Sequence, residues 1–166
     1  EQDESKQKLL KQAMRNAERV ANLTSQLMDF RRLETGRLTV EFQAGDAAQI
    51  VRETVELMKP LAAIKQVHCH FQGLDVLRGL LDEDKLRKMV QNLVGNAIKY
   101  TEQGSVAVRV KIMDEDSDTH ALIRFEVEDT GVGIPQDRLG KIFQPFDQLY
   151  DPVKGSRGGT GLGLSM

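Results

Sequence analysis

Two asparagines four residues apart open the run Asn92-Leu93-Val94-Gly95-Asn96-Ala97-Ile98-Lys99-Tyr100-Thr101. On a helix, residues at that spacing share a face, and Lys99 follows within a turn. An amide oxygen is a hard, neutral ligand, suited to a Mg²⁺ ion held mainly by phosphates and water. Lys99 is placed to neutralise phosphate charge. Taken alone, the pair also reads as two solvent-facing asparagines. Further on, Asp129-Thr130-Gly131-Val132-Gly133 ends a run in which Ile123, Phe125 and Val127 alternate with Arg124, Glu126 and Glu128. Asp129 keeps the parity of the apolar residues. Its carboxylate is therefore expected on the apolar side of a sheet, where an unpartnered charge is costly. An adenine amino group would satisfy it, whereas guanine carries a carbonyl at that position and would not. Gly131 and Gly133 permit positive φ and close approach to a ligand. A strand-ending Asp-Thr-Gly turn is also common without one.

Eight of the chain's 14 glycines lie at 131, 133, 140, 155, 158, 159, 161 and 163, so the enrichment is local chemistry rather than low complexity. In Gly158-Gly159-Thr160-Gly161-Leu162-Gly163-Leu164 the glycines lead into an expected helix, offering unpaired N–H groups and a positive helix end to phosphate. The string loosely meets a dinucleotide pattern, but no strand immediately precedes it, so the Rossmann reading fails its context test. Between the glycine clusters, Phe143-Gln144-Pro145-Phe146 brackets a proline with aromatics after a short helix. Such a cluster more often anchors a loop than binds a ligand.

These residues need elements to hold them. The first 35 residues lack Gly and Pro, and Leu10, Ala13, Ala17, Val20, Leu23, Leu27 and Phe30 form a 3–4 spaced stripe. One long helix buried against another helix, in a dimeric bundle or coiled coil, is expected, the alternative being a helix that lies along its own domain. Gly36 breaks that pattern, and Leu38, Val40 and Phe42 alternate as a short strand. Asp46 is placed to cap a helix with apolar positions Ile50, Val51, Val55, Leu57 and Met58, kinked or broken at Pro60. Val67 to Phe71 reads as a strand. Asp82, Glu83 and Asp84 start a helix that runs to about Tyr100, with Leu86, Met89, Val90, Leu93 and Ala97 as its apolar stripe. Two strands follow, Val106 to Ile112 and Ile123 to Val127, joined by a polar loop over Asp114 to Asp118.

Composition narrows the class. The chain has 166 residues, 40% hydrophobic and 29% charged, with 23 Lys+Arg against 25 Asp+Glu. The balance gives no support to a nucleic-acid-coating surface. No apolar run approaches the ~20 residues of a membrane span, so no membrane contact is expected from this segment. A single cysteine, Cys69, forms no internal disulfide and favours a reducing, cytoplasmic setting.

The ordered set Asn92/Asn96, Asp129-Gly131-Gly133, Phe143/Phe146 and Gly159-Gly161-Gly163 resembles the N, G1, F and G2 boxes of sensor histidine kinases. The resemblance covers roughly Leu38 to Met166, and Leu27 to Gly36 is similar to the end of the second helix of that family's dimerisation domain. It implies an α+β fold: a two-layer α/β sandwich of the Bergerat ATP-binding type, with a mixed sheet and helices on one face. Residues 1–36 would belong to the helical dimerisation domain and residues 37–166 to the catalytic domain. By the same resemblance the cofactors are ATP and Mg²⁺. Asn96 would hold the metal with Asn92 assisting, and Lys99 and Tyr100 would line the phosphate and adenine sides. Asp129 would read the adenine amino group, with Gly131, Gly133 and Ile134 around it. Residues from about Gln144 to Gly158 would form an ATP lid anchored by Phe143 and Phe146, with Lys154 and Arg157 toward the triphosphate. Gly159, Thr160, Gly161, Leu162 and Gly163 would cradle it. Asn92, Lys99 and Arg157 are the expected catalytic set. The implied partners are a second copy through the N-terminal helix, a phosphoacceptor-histidine helix and a response-regulator receiver domain.

Two departures accompany the resemblance. The family's phosphoacceptor is a helical histidine followed by an acidic residue, whereas this chain has only His68, His70 and His120. His68 and His70 share one face of a strand, with no evident fourth metal ligand. The helix opened by the Gly163 turn, and the strands that follow it in the family, would lie beyond the sequence. Autonomous phosphotransfer is therefore not expected of this chain. Related gyrase- and chaperone-type ATPases place a water-activating Glu where Asn92 stands, and Asn92 is no base, so only slow hydrolysis is expected. A nucleotide-sensing or scaffolding module is the non-enzymatic alternative.

Overall fold

The computed structural model describes residues 2–117, 120–145, 161, 163 and 164. The chain divides into two units, one spanning Val40–Leu139 and the other holding the N-terminal helix together with the chain from Gly140 onward. Helix α1 runs over Gln2–Glu34. It stops where Gly36 takes φ +65°. The Gly36 N–H bonds the Leu33 carbonyl and the Arg37 N–H bonds the Arg32 carbonyl, so a residue free to enter the left-handed region closes the last turn. The expected stripe is present, and most of it is exposed. Leu10 is 63% exposed, Val20 and Leu27 are exposed too, and Phe30 is buried.

In the second unit, Asp46 caps α2 (Ala47–Ile64) through Oδ1, which accepts from the Ala48 and Gln49 N–H groups. The same oxygen accepts from the Leu77 N–H at 2.9 Å, which ties the segment just before Arg78 to the helix start. These bonds, the Leu77 one foremost, hold the Asp46 carboxyl below its ordinary range. Pro60 does not break α2, which continues to Ile64. Pro60 and Glu56 are both exposed, so water can serve the Glu56 carbonyl that loses its bond. The strand expected at Leu38, Val40 and Phe42 is absent. Its place is taken by β1 (Gln43–Asp46), which pairs antiparallel with β3 (Arg78–Leu81). That ribbon is only four residues a side, and no alternation of apolar and polar residues marks β1 in the sequence.

The main sheet has the order β2-β4-β5, where β2 is Val67–Gly73, β4 Gly104–Ser117 and β5 His120–Asp129. β2 runs parallel to β4 from Val67↔Gly104 to Gly73↔Val110, and β5 runs antiparallel from Val106↔Asp129. The polar stretch after Ile112 continues β4 through two register shifts instead of forming a loop at once. Helices α2 and α3 (Glu83–Tyr100) cover one face. Ile50, Val51 and Val55 meet Leu86, Val90, Val94, Ala97 and Ile98 over Val67, Cys69, Val106, Val108 and Val110. Each buried Val or Ile contributes about 1.5–3 kcal/mol. The opposite face is a charge lattice in which Arg109 bonds Gln72 and Glu128, and Lys111 bonds Glu126. The result is the expected α+β sandwich, a mixed sheet with helices on one face.

The stripe of α3 differs from the expected one. Val94 and Ile98 are buried, whereas Met89 and Leu93 are exposed. Adjacent apolar positions on this helix offer two stripes, and contact with α2 and β4 selects the one through Val90, Val94 and Ile98.

Candidate functional site

Asp82 sets the position of α3. Its Oδ1 accepts from the Lys85 N–H, capping the helix, and its Oδ2 accepts from Lys85 Nζ at 2.6 Å and from the Glu41 N–H at 2.9 Å. The Lys85 ammonium foremost, then the Glu41 and Lys85 N–H groups, pull its carboxyl down to about 2. On the helix so anchored, Asn92, Asn96, Lys99 and Tyr100 are all half-buried. The Asn92 and Asn96 amides make no hydrogen bond among the described residues, and their oxygens remain open to a ligand. Lys99 Nζ lies 4.7 Å from the centre of the Tyr100 ring and donates to its hydroxyl at 3.1 Å.

The end of α3 is fixed by a residue not singled out in the sequence. Lys65, at the C-cap of α2, donates through Nζ to the carbonyls of Ile98 (2.9 Å) and Lys99 (2.7 Å). A cation on the last carbonyls of a helix satisfies orphan acceptors and complements the dipole. A lone lysine at the end of another helix carries no sequence signal for that role. Thr101 Oγ1, also buried, donates to the Ala97 carbonyl and finishes the helix.

The turn after β5 packs on that helix end. A Cβ on Gly131 would lie 2.6 Å from the Tyr100 carbonyl oxygen and 2.8 Å from Asp129 Oδ1, so only glycine allows this approach. Thr130 locks the turn to β4: its N–H bonds the Ser105 carbonyl, and its Oγ1 accepts from the Ser105 N–H. Gly133 takes φ +67°, the left-handed region. Asp129 continues the parity of Ile123, Phe125 and Val127, but its carboxylate is exposed, not buried on the apolar side. Strand β5 ends at this residue, and among the described residues no further layer covers it. Its Oδ1 accepts from the Gly131 N–H at 2.9 Å, and its other oxygen has no hydrogen-bond partner among the described residues. Beside it in sequence, Val132 and Ile134 expose apolar surface.

The structure thus sets Gly131 against the Tyr100 carbonyl at the end of α3, with Asp129 at the end of β5, while Asn92, Asn96 and Lys99 lie along the same helix. Phe143 is 65% exposed, so its expected anchoring contact is not made. Phe146, Lys154, Arg157, Gly159, Thr160 and Leu162 lie outside the described residues. Gly161 takes φ +70°. The donor set fits a purine nucleotide: an open carboxylate oxygen for an amino group, apolar surface beside it, two free amides and a lysine. Neutral amide oxygens also fit a hard divalent cation whose charge phosphates balance.

Comparison with known proteins identifies the class. Residues 81–166, just over half the chain, match the family described as histidine kinase-, DNA gyrase B- and HSP90-like ATPases. The hybrid signal transduction protein dokA of Dictyostelium discoideum is 34% identical over 157 residues, covering 91% of this chain and 9% of dokA. The peroxide stress-activated histidine kinase mak2 of Schizosaccharomyces pombe is 29% identical over 170 residues, covering 99% of this chain and 7% of mak2. Full-length ShkA, solved in complex with AMPPNP, superposes with a TM-score of 0.73 at 30% identity, over 89% of this chain and 29% of ShkA. The chain belongs to this ATPase family and, within it, to the ATP-binding catalytic domains of sensor histidine kinases. It spans less than a tenth of the length of dokA or mak2.

Proposed function

We propose that this chain holds MgATP for transfer of its γ-phosphoryl group to a histidine of a dimerisation domain, as one step of two-component signalling. The observation that carries the reading is the junction of α3 and β5. There an open carboxylate oxygen of Asp129 stands at a turn packed on the helix that bears Asn92, Asn96 and Lys99. Asp129 accepts a hydrogen bond from the adenine amino group, and its Gly131 bond fixes the carboxylate plane. Val132 and Ile134 cover the base. Asn96, with Asn92, supplies oxygens to Mg²⁺, and Lys99 neutralises phosphate charge. Arg157 and Lys154 approach the triphosphate from a lid between Gln144 and Gly158, and the segment 159–163 cradles it. When bound, the nucleotide and metal supply the transferable group and charge neutralisation. The protein's share is positioning and electrostatic complementarity. Imidazole is a nucleophile at neutral pH and needs no general base, which suits a site with Asn at position 92.

The chain's own histidines lie on β2 and β5, not on a helix. The acceptor is therefore a histidine presented by a dimerisation helix, with α1 contributing to a homodimer through its exposed apolar stripe. The onward partner is a response-regulator receiver domain, and the setting is cytoplasmic. No helix among the described residues is long and apolar enough to cross a membrane. The test is to incubate the chain with labelled ATP, Mg²⁺ and a separately supplied histidine-bearing dimerisation domain. Acid-labile phosphohistidine, lost with Asn96→Ala, supports the reading. Nucleotide binding without phosphohistidine, with or without turnover to free phosphate, refutes it.

A further inference from the structure

Strand β2 carries His68, Cys69 and His70 in succession. Alternation sends Cys69 into the core and both imidazoles to the outer face of the sheet, away from α2 and α3. The two ring centroids are 5.3 Å apart and the rings are tilted by 31°. Two imidazoles bound through nitrogen to one ion, with metal–nitrogen bonds near 2.0–2.1 Å, have centroids about 5.3 Å apart at a tetrahedral angle and about 4.6 Å apart at a right angle. The observed spacing falls in that range.

His70 Nδ1 is buried and has no hydrogen-bond partner. Neither neutral tautomer satisfies it there. A half-turn of the ring about χ2 exchanges Nδ1 for Cδ2 at the buried position and releases the nitrogen for a ligand. Neither histidine makes a hydrogen bond or ion pair among the described residues, so no existing bond is broken. The outer-face residues in register, Ser105 beside His68 and Ala107 beside His70, are small and offer no competing charge.

We propose that His68 and His70 form a two-imidazole site for a divalent transition-metal ion of the Zn²⁺, Ni²⁺ or Cu²⁺ class. Imidazole favours these ions, whereas Mg²⁺ takes oxygen ligands, so the site is chemically distinct from the asparagine pair on α3. Cys69 is not a third ligand: it points to the other face, and burial pushes its thiol up. Glu128 is engaged by Arg109. Among the described residues no group of three or more His, Cys, Asp or Glu side chains is placed to hold a metal, so water completes the shell. The bound ion would clamp the outer edge strand β2 from its solvent side.

The test titrates Cu²⁺ into the nucleotide-free chain with excess Mg²⁺ present, followed by calorimetry and by electron paramagnetic resonance. One ion per chain with two coordinated nitrogens is expected, and His68→Ala weakens it roughly tenfold or more, since one imidazole cannot chelate. His120→Ala leaves it unchanged. His68 is exposed, so His68→Ala keeps the test decisive even if His70→Ala folds poorly. Zn²⁺ should raise the melting temperature of the parent chain and not that of His68→Ala. Unchanged Cu²⁺ affinity in His68→Ala, or coordination by a single nitrogen in the parent chain, overturns the proposal.

Discussion

Replacing Gly131 by Ala tests whether the turn after β5 is built against the helix end. The added Cβ would meet the Tyr100 carbonyl oxygen at 2.6 Å, about 0.8 Å inside the 3.4 Å at which ordinary contact begins. That oxygen is backbone, at the end of a helix held by Lys65 and Thr101, so the turn itself must give way. Overpacking of this kind costs about 1–3 kcal/mol, or roughly 2–4 °C of Tm for each kcal/mol in a chain of this size. The same Cβ meets Asp129 Oδ1 at 2.8 Å and disturbs the bond that orients the carboxylate, so adenine nucleotide affinity falls together with stability. Gly133→Ala is the control. Nothing lies within 4 Å of its Cβ, and only the left-handed φ is penalised, at about 1 kcal/mol. Urea denaturation and calorimetric titration with ADP read both quantities. A Gly131→Ala variant with parental stability and parental affinity would refute the packing argument.

Ile98 is 1% exposed at the centre of the α3 interface, and Ile98→Ala should cost about 2–5 kcal/mol in urea denaturation. Lys65→Met removes two bonds to the last carbonyls of α3 and should lower stability by about 1–2 kcal/mol, with a matching loss of nucleotide affinity measured by calorimetry. Asp82 has its carboxyl pulled below the ordinary 3.8 to about 2, so its contribution is complete above the unfolded value and disappears as pH falls from about 4 toward 2. Acid unfolding followed by circular dichroism should show that loss, and Asp82→Asn should flatten it.

The residue types a nucleotide site would use stand out in the sequence more than the path of the backbone does. Asn92, Asn96 and Asp129 announce themselves by spacing, and caps such as Asp46 and Asp82 act within three residues of themselves. Features that depend on distant partners were not legible. β1 forms because Gln43 to Asp46 find Leu81 to Arg78, a pairing that no local alternation encodes, while the better-patterned Leu38 to Phe42 has no partner strand among the described residues. Which α3 stripe is buried, through Val94 and Ile98 and not Met89 and Leu93, is decided by α2 and β4. The role of Lys65 depends on α2 ending beside the end of α3. Parity correctly placed Asp129 in line with Val127 but could not show that β5 ends there and leaves the carboxylate open.

The central claim, an adenine-reading site at the junction of α3 and β5, is tested most directly by calorimetric titration of the chain with ADP, a non-hydrolysable ATP analogue and GTP, with and without Mg²⁺, beside Asp129→Asn. Loss of one charge-assisted hydrogen bond of about 1.5–3 kcal/mol predicts binding weakened by roughly one to two orders of magnitude in the variant, with no response to GTP in either protein. Equal affinity for ADP in parent and variant, or GTP bound as well as ATP, would contradict the account.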